Sequence, residues 1–551
     1  MAGALIQAFR SSRSCFLFQS FFPRSRWRGA EGATIRVRWR DSWFRIPLFY
    51  PAMILPRFLT CLLILGVAAA SAAPATKPNL IVINIDDLGY CEIGPFGSTN
   101  RTPALDRMAA EGRKLTSHYA APVCSPSRAA LLTGSYPKRA LPIPHVLFPG
   151  AAVGLNPDEH TIADVLKTAG YATACVGKWH LGDQPEFLPR RQGFDEFFGL
   201  PYSNDMGPVE DGTKNDFGKP RPATKAVPQK NAAKKAAKQV DPGDESTGLK
   251  GLAQTPLALI ENETVIGRIR AEDQADLTRR YTERSVAFIR AKKDQPFFLY
   301  LAHSAVHFPR YPAEKFRGQS PNGLLGDWVQ EVDWSVGQVL DTLRELKLDR
   351  NTLVLFVSDN GGPVFQGANN HPLRGAKGTT LEGGIRVPGL AWWPGQIPAG
   401  THTDAITTMM DILPTLARLG GATLDAKRKI DGVDLWPVLT GNPAQPPRDS
   451  FLYHRGFELE AVRSGPWKLH LAKRELYHLG TDIGEAKDVA AQNPDVVKRL
   501  LALAEASNAD LGVTGIGPGC RPLGRVADPK PIIALDGTVR ADMAGAQKRF
   551  P

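Results

Sequence analysis

The sequence predicts an α/β protein built on a large mixed β-sheet flanked by helices, with a smaller C-terminal α+β domain. Three observations predict it. Apolar runs such as "NLIVINI" (79–85), "PFFLYLA" (296–302) and "TLVLFVS" (352–358) are continuous rather than alternating, as in strands buried on both faces of a largely parallel sheet. Helix-period segments alternate with such runs, and that alternation builds a layered sheet-and-helix domain. After about residue 445 the pattern changes to short runs, "AVRSGPWKLHL" and "RELYHLGTD", followed by the amphipathic "NPDVVKRLLALAEASNADLG".

The chain of 551 residues is long enough for a large core, and 43% hydrophobic with 22% charged residues is ordinary for a soluble globular protein. The net charge of +12 is unevenly placed. Residues 1–52 carry nine Arg against Glu31 and Asp41, and Arg57 adds one more; removing this +8 leaves +4. No nucleic-acid partner is therefore expected. From Met53, "MILPRFLTCLLILGVAAASAA" gives an Arg, an apolar run and a small-residue end at Ala70-Ser71-Ala72, the order of a secretory signal. Its apolar core is short for a membrane span. Met53 is thus the expected start, 53–72 a signal peptide, and 1–52 an extended or non-native leader. The mature chain is expected from about Ala73, exported to a periplasmic, secreted or lysosome-like compartment, with no stable membrane span.

The main α/β domain is expected over 77–445. It opens on the strand of "PNLIVINIDDLGY" (78–90), which ends in two aspartates and a glycine. "PALDRMAAEG" then reads as a helix and "TIADVLKTAGYATACVGKW" as helix, glycine and strand. The same cadence recurs in "YTERSVAFIRAKKDQPFFLYLA" and "VDWSVGQVLDTLRELKLDRNTLVLFVSDNGG". Residues 209–250, rich in Lys, Ala, Pro and Gly, are expected to be a flexible surface insertion because they cannot bury enough apolar surface to offset their ordering entropy. The small α+β domain is expected over 446–515, and 516–551 as a loosely ordered tail. Cys15 and Cys61 leave with the leader; Cys91, Cys124, Cys175 and Cys520 form neither a disulfide scaffold nor a CxxC zinc pattern, and any one pairing among them is open.

Chemically suggestive residues gather at strand ends, where α/β sheets collect ligands. Asp86 and Asp87 close the first strand, and "FVSDNGG" brings Asp359 and Asn360 to the end of another. Four oxygen-bearing side chains at one sheet edge suit Ca²⁺ or Mg²⁺ better than zinc. "GKWHLG" places Lys178 and His180 on one side of an extended segment. His307 follows "PFFLYLA", and Lys377 lies in the glycine-rich "LRGAKGTTLEGG". Cations and imidazoles around a divalent metal make a site for a tetrahedral oxyanion. Cys124, in "CSPSRAALLTG", can be a disulfide half, a metal ligand, a thiolate nucleophile or a residue modified before use.

The chain resembles the sulfatase family, whose Cys-x-Pro-x-Arg signature is met by Cys124, Pro126 and Arg128. The resemblance runs from about Pro78 to near residue 485 through "TPALDRMAAEG", "GKWHLG", "SDNGG" and "LRGAKGTTLEGGIRVP". Within the family, "PHVLFPGAAVGLNPDEHTIADVLKTAGY" and "LPYSNDMGP" look most like the arylsulfatase A branch, which typically has His at Asn204. The resemblance implies an alkaline-phosphatase-like fold and a sulfuric ester hydrolase. It implies that Cys124 is oxidised by a formylglycine-generating or sulfatase-maturating enzyme to Cα-formylglycine, and is therefore unpaired. The aldehyde hydrates to a diol, in which one hydroxyl attacks sulfur and the other, once deprotonated, expels sulfate. It implies one Ca²⁺ held by Asp86, Asp87, Asp359, Asn360 and residue 124. Arg128 would steady the diol and carboxylates, and Lys178 and Lys377 would hold sulfate oxygens. His180 would be the base that releases sulfate, His307 the acid near the leaving oxygen, and Ser203 a hydrogen-bonding group in the pocket. Asp359 could also take the attacking hydroxyl's proton.

Two alternatives stay open. One is a phospho- or phosphonate-ester hydrolase on the same fold, although Lys178 and Lys377 stand where second-metal ligands would be expected. The other is a catalytically silent binder of sulfated glycans. The substrate is expected to be a sulfated small molecule or glycan, its identity being set by pocket loops. Asn100-Arg101-Thr102 and Asn262-Glu263-Thr264 are glycosylation sequons.

Overall fold

The computed structural model describes residues 37–39, 42–44, 77–219, 247–251, 254–441 and 447–545. The expected signal at 53–72 lies outside these residues, as does 220–246 of the expected insertion. Of the expected leader only the antiparallel pairing of Val37–Trp39 with Ser42–Phe44 is described, within a unit that ends at Pro74.

In the unit from Ala75 onward the main strands are β1 (Asn79–Ile85), β2 (Arg113–Tyr119), β3 (Ala172–Lys178), β4 (Glu196–Leu200), β5 (Leu257–Glu261), β6 (Thr264–Ile269), β7 (Phe297–Ala302), β8 (Thr352–Ser358), β9 (Arg386–Trp392), β10 (Thr401–Thr403) and β11 (Thr407–Thr408). They form one 11-stranded sheet in the order β10-β2-β9-β8-β1-β7-β3-β4-β5-β6, with β11 also on β2. The central strands β8, β1, β7, β3 and β4 are parallel. β9 joins β8 and β2, and β5 joins β4 and β6, antiparallel. The sheet is mixed, as expected.

The continuous apolar runs have the predicted cause. Leu80 and Val82 enter one core with Phe298, Tyr300, Leu353 and Leu355. Ile81, Ile83 and Ile85 enter another with Phe297, Leu299, Val354 and Phe356. With a side-chain period of two, a strand covered on both faces must be apolar at every position. The first core is closed by helices α1 (Cys124–Thr133) and α4 (Ile412–Gly420), the second by α2 (Leu277–Ala291) and α3 (Gly323–Glu345).

Register sets where the strands end. Ile85 lies opposite Ser358, Ala302 opposite both Asn84 and Gly177, and Gly177 opposite Gly199. The residues that follow β1, β8, β7 and β3 therefore emerge together on one edge. Gly177 is required there: φ is 113°, and a Cβ would stand 1.9 Å from the Ala302 carbonyl oxygen.

The C-terminal sheet is antiparallel, β12 (Ser450–Arg455), β13 (Glu458–Ser464), β14 (Trp467–His470) and β15 (Glu475–His478) in that order. Leu459, Val462, Leu469 and Leu476 pack with Leu500 and Ala504 of α5 (Pro494–Asn508). Cys91, Cys124, Cys175 and Cys520 are all free thiols. No helix among the described residues is long and apolar enough to cross a membrane.

Two expectations are corrected. The tail is docked at several points up to Met543, with exposed stretches between them: Gly524–Arg525 pairs with Val153–Gly154, Ile532, Ile533 and Met543 are core residues, and Arg521 donates to Glu159 at 2.6 and 2.9 Å. A few well-spaced apolar and ionic anchors suffice to dock a segment of low average hydropathy. Likewise 209–219 is packed rather than a mobile arm. Buried Asp211 accepts two 2.7 Å bonds from Arg268, Val209 is buried, and Tyr311 donates to the Gly212 and Asn215 carbonyls at 3.0 Å.

The two sheets meet at Glu382, fully buried on the turn before β9. Its carboxylate accepts from Tyr119 (2.6 Å), Tyr453 (2.9 Å) and Lys468 (2.9 Å). Burial alone would raise its pKa, but the charges of Lys468, Arg386 and Arg463 and the Tyr119 bond outweigh it and hold the carboxyl down to about 2. A depressed folded-state pKa stabilises above the ordinary value of 4.5, and that stability is lost as pH falls towards 2. Glu382→Gln should therefore lose about 3–5 kcal/mol at neutral pH by breaking buried pairs, and flatten the acid limb of stability between these values. Urea titrations of both proteins across pH 2–7 provide the check, and an unchanged acid limb would contradict the assignment.

Candidate active site

Asp86 and Asp87 follow β1. Asp87 sits at φ 62°, a left-handed conformation unusual outside glycine, which turns the chain sharply after the strand. Strain of this kind persists where the surroundings over-determine it. Here they do: the Asp87 amide donates to Asp359 Oδ1 at 3.2 Å, and Leu88 N donates to Ser358 Oγ at 3.0 Å. His180, two residues past β3, also has positive φ, at 63°.

Cys124 is the first residue of α1, and its side chain is buried. Its Sγ lies 3.2 Å from Asp86 Oδ1 and 3.5 Å from Lys377 Nζ. Lys178 Nζ reaches Asp86 Oδ2 at 2.5 Å and Ser203 Oγ at 3.1 Å. Ser203 Oγ stands 3.4 Å from His307 Nδ1, and His307 Nε2 is 3.6 Å from Asp87 Oδ2. Lys377 Nζ is 2.6 Å from Asp87 Oδ1. Arg128, one turn along α1 from Cys124, donates through Nε and a terminal nitrogen to Asp359 Oδ2 at 3.0 and 2.8 Å, and to the Lys178 carbonyl at 2.7 Å. Three carboxylates thus face three permanent cations in a closed space.

Position shifts the proton affinities. Burial opposes charge on Asp86, but Lys178, His307, Arg128 and Lys377 outweigh it and hold the carboxyl well below the usual range. Asp359 is pushed up to about 7 by burial and the Asp86 charge, against Arg128 and Lys178. The Cys124 thiol is raised well above its ordinary value by burial, Asp359 and Asp86, although a helix N-terminus and two lysines favour the thiolate. His180 is kept neutral by burial and by Lys178 and Arg128. Its Nε2 lies 2.9 Å from the Leu147 carbonyl, which only accepts, so Nε2 carries the proton and the buried Nδ1 keeps a lone pair with no protein partner.

The donor set fits a cation. Ligand atoms of Asp86, Asp87, Cys124 and His307 lie within 4.8 Å of one another, all buried. Asn360 Nδ2 donates to Asp87 Oδ1 at 2.7 Å, while its Oδ1 is buried without a partner, an oxygen left over for an ion. All eleven residues singled out in the sequence lie on or beside one sheet edge. Asp359 is more engaged than expected, with one oxygen on Arg128 and the other on the Asp87 amide. Two features were not read from the sequence. Asn204 Nδ2 donates to the Pro309 carbonyl at 3.1 Å and to the His307 carbonyl at 3.4 Å, so it braces the His307 loop. Thr380 and Glu382, beyond Lys377, are gripped by the C-terminal sheet; the only sequence signal was the run "TTLEGG".

Residues 78–422 match the family model described as Sulfatase. The chain belongs to the sulfatase family. It is 38% identical over 444 residues to arylsulfatase A of Bos taurus, covering 77% of this chain and 80% of that protein. It is also 38% identical over 432 residues to N-acetylgalactosamine-6-sulfatase of Canis lupus familiaris, covering 74% of each. The crystal structure of PsFucS1 sulfatase from Pseudoalteromonas sp. superposes with a TM-score of 0.69 at 29% identity, over 81% of this chain and 92% of that one. The fold is the alkaline-phosphatase-like one expected, and the protein is a sulfuric ester hydrolase.

Arg128→Met should cost about 3–5 kcal/mol by removing two donors from buried Asp359 and one from the Lys178 carbonyl, and adding Asp359→Asn should recover part of that loss. Chemical denaturation of the two variants reads the coupling. Strictly additive losses would mean that the pair is not the reason Arg128 is buried.

Proposed function

We propose that this chain hydrolyses sulfate monoesters of aryl or carbohydrate alcohols, using a formylglycine made from Cys124 and one calcium ion. The observation that carries the reading is the position of Cys124: a buried thiol at a helix start, between two lysines and against Asp86. As a thiol it is a poor nucleophile, because burial and two carboxylates keep it protonated. It has no disulfide partner among the described residues. A residue in that place is explained if it is converted to a stronger, self-releasing nucleophile. Formylglycine supplies that, because its hydrate has a second hydroxyl whose deprotonation expels sulfate.

Asp86, Asp87, Asp359, Asn360 and residue 124 would hold the ion, which supplies Lewis-acid stabilisation of sulfate charge. A mainly oxygen donor set favours calcium, and the nearby His307 is better kept for proton transfer. Lys178 and Lys377 would hold sulfate oxygens beside residue 124, a reading supported by Lys377 Nζ lying 3.5 Å from its Sγ. Arg128 fixes Asp359 and leaves its own position no freedom. His180, neutral with a free Nδ1, suits the base that takes the second hydroxyl's proton. His307, linked through Ser203 to Lys178, suits the acid that protonates the leaving alcohol. Lys178 and Lys377 stand where a second metal's ligands would be expected, so the site would offer one divalent ion and two lysines, which suits a sulfate monoester better than a phosphate monoester dianion that a second metal would normally balance.

A maturation enzyme is the implied partner, acting on Cys124 before the site closes. The signal-like run from Met53 supports export, and the names of the relatives support aryl or glycan substrates.

Conversion of Cys124 should lower the mass of its peptide by about 18 Da, from loss of sulfur, the S–H hydrogen and one Cβ hydrogen and gain of oxygen. Cys124→Ala should fold and lose turnover by about 10³-fold or more, while Cys124→Ser should accumulate a sulfated side chain that it cannot release. Peptide mass spectrometry and nitrophenyl sulfate kinetics measure both, and normal turnover by the alanine variant would overturn the reading.

On matched nitrophenyl esters, kcat/KM for sulfate should exceed that for phosphate by about 10²-fold or more. Equal turnover of phosphate would move the chain to the phosphoesterase reading.

A further inference from the structure

Lys377 sits on a loop that should be loose. Residues 373–384 contain Gly375, Gly378, Gly383 and Gly384, with φ of 95° and 85° at the first two. The main domain ties the loop by backbone bonds, Lys377 N to the Gly362 carbonyl at 3.3 Å, Gly378 N to the Pro122 carbonyl at 2.8 Å and Gly361 N to the Gly384 carbonyl at 3.0 Å, and by side chains, Asn370 Nδ2 on the Gly375 carbonyl at 3.1 Å and Tyr119 on Glu382 at 2.6 Å. A second grip comes from the C-terminal domain. Lys468 Nζ, on β14, donates to the Thr380 carbonyl at 2.8 Å and to Glu382 Oε1 at 2.9 Å, and pairs with Glu485 Oε1 at 2.9 Å. Two directed hydrogen bonds and an ion pair thus converge on one nitrogen. Glu485 Oε2 accepts from the Glu382 amide at 2.7 Å, and Glu460 Oε2 accepts from Thr380 Oγ1 at 2.7 Å. The side chains of Lys468, Glu382 and Glu485 are fully buried.

We infer that Lys468 is a positioning residue for Lys377: by holding the Thr380 carbonyl and the Glu382 and Glu485 carboxylates, it fixes the loop where Lys377 meets Asp87 and residue 124. This rests on the reading of Lys377 as a sulfate ligand. Thr380 is three residues from Lys377, at most about 10 Å of chain, so little slack separates the anchor from the ligand. Apolar packing would fill the same volume. Two directed hydrogen bonds and an ion pair on one nitrogen fix a position as well, and small misplacements of a substrate-binding group are costly to rate.

The test is a double-mutant cycle on the full chain, with converted residue 124 confirmed by mass. Lys377→Ala, Lys468→Met, their combination, and the charge-balanced pair Lys468→Met with Glu485→Gln are compared by kcat/KM on nitrophenyl sulfate. The rise in Tm with inorganic sulfate gives a second readout that does not depend on turnover. Lys377→Ala should lose about 10²-fold and most of the sulfate-dependent rise; Lys468→Met should lose about tenfold, mainly in KM, but less than about twofold when Lys377 is already Ala. Should Lys468→Met fail to fold, the charge-balanced pair carries the comparison. Losses that multiply in full, or a Lys468 variant with unchanged KM and sulfate response, would overturn the inference and leave the proposed function standing. Unchanged turnover in Lys377→Ala would instead remove the reading of Lys377 itself.

Discussion

Lys178 donates to Asp86 across 2.5 Å with neither side chain reached by water, and Arg128 holds Asp359 beside them in the same closed space. A single ion so placed would carry a desolvation cost of several kcal/mol. Opposed in balanced number and linked by directed hydrogen bonds, the charges become tolerable, and each fixes its neighbours. The site's rigidity follows from this. Arg128 cannot move without exposing Asp359, and Lys178 cannot move without stranding Asp86. The price is a cluster of groups whose proton affinities are displaced in opposite directions, and an enzyme can use that displacement to keep a base neutral next to cations.

The scaffold makes such a cluster affordable by delivering it from backbone that is already fixed. β1, β3, β7 and β8 are central parallel strands with core on both faces, so their ends are held by packing on both sides. Ligand groups at the carboxyl edge of such a sheet inherit that fixity. α1 adds Cys124 and Arg128 one turn apart on a helix whose residues are all buried, which explains why the signature places cysteine and arginine four positions apart. Lys377 is the exception, since it comes from a glycine-rich loop. Part of its order comes from the C-terminal domain, through Lys468 and Glu485 on Thr380 and Glu382.

Much of this was legible in the sequence. Doubly covered strands must be apolar throughout, so "NLIVINI", "PFFLYLA" and "TLVLFVS" identified themselves, and the residues just after them were the ones the sheet edge collects. The errors have a common cause. Residues 209–219 and the tail up to Met543 are held by a few specific contacts, Asp211 with Arg268, Arg521 with Glu159, Ile532 and Ile533 in the core. Composition averages over a segment and cannot register a few such contacts. The same limit hid the grip of β14 on the Lys377 loop, because Lys468 and Glu382 are 86 positions apart.

The sequence by itself determined the layered α/β architecture, the residues available to the site and the family signature around Cys124. These are local properties, set by side-chain periodicity and by short motifs that carry their own spacing. Only the tertiary structure decided which carboxylate faces which cation, that Asn360 keeps an oxygen free while Asp359 does not, that His180 is neutral with its lone pair on Nδ1, and that the C-terminal domain helps to hold the Lys377 loop. Those facts depend on distances of a few ångströms between residues tens to hundreds of positions apart. Both burial and Coulomb energy act through space, and one-dimensional order carries neither.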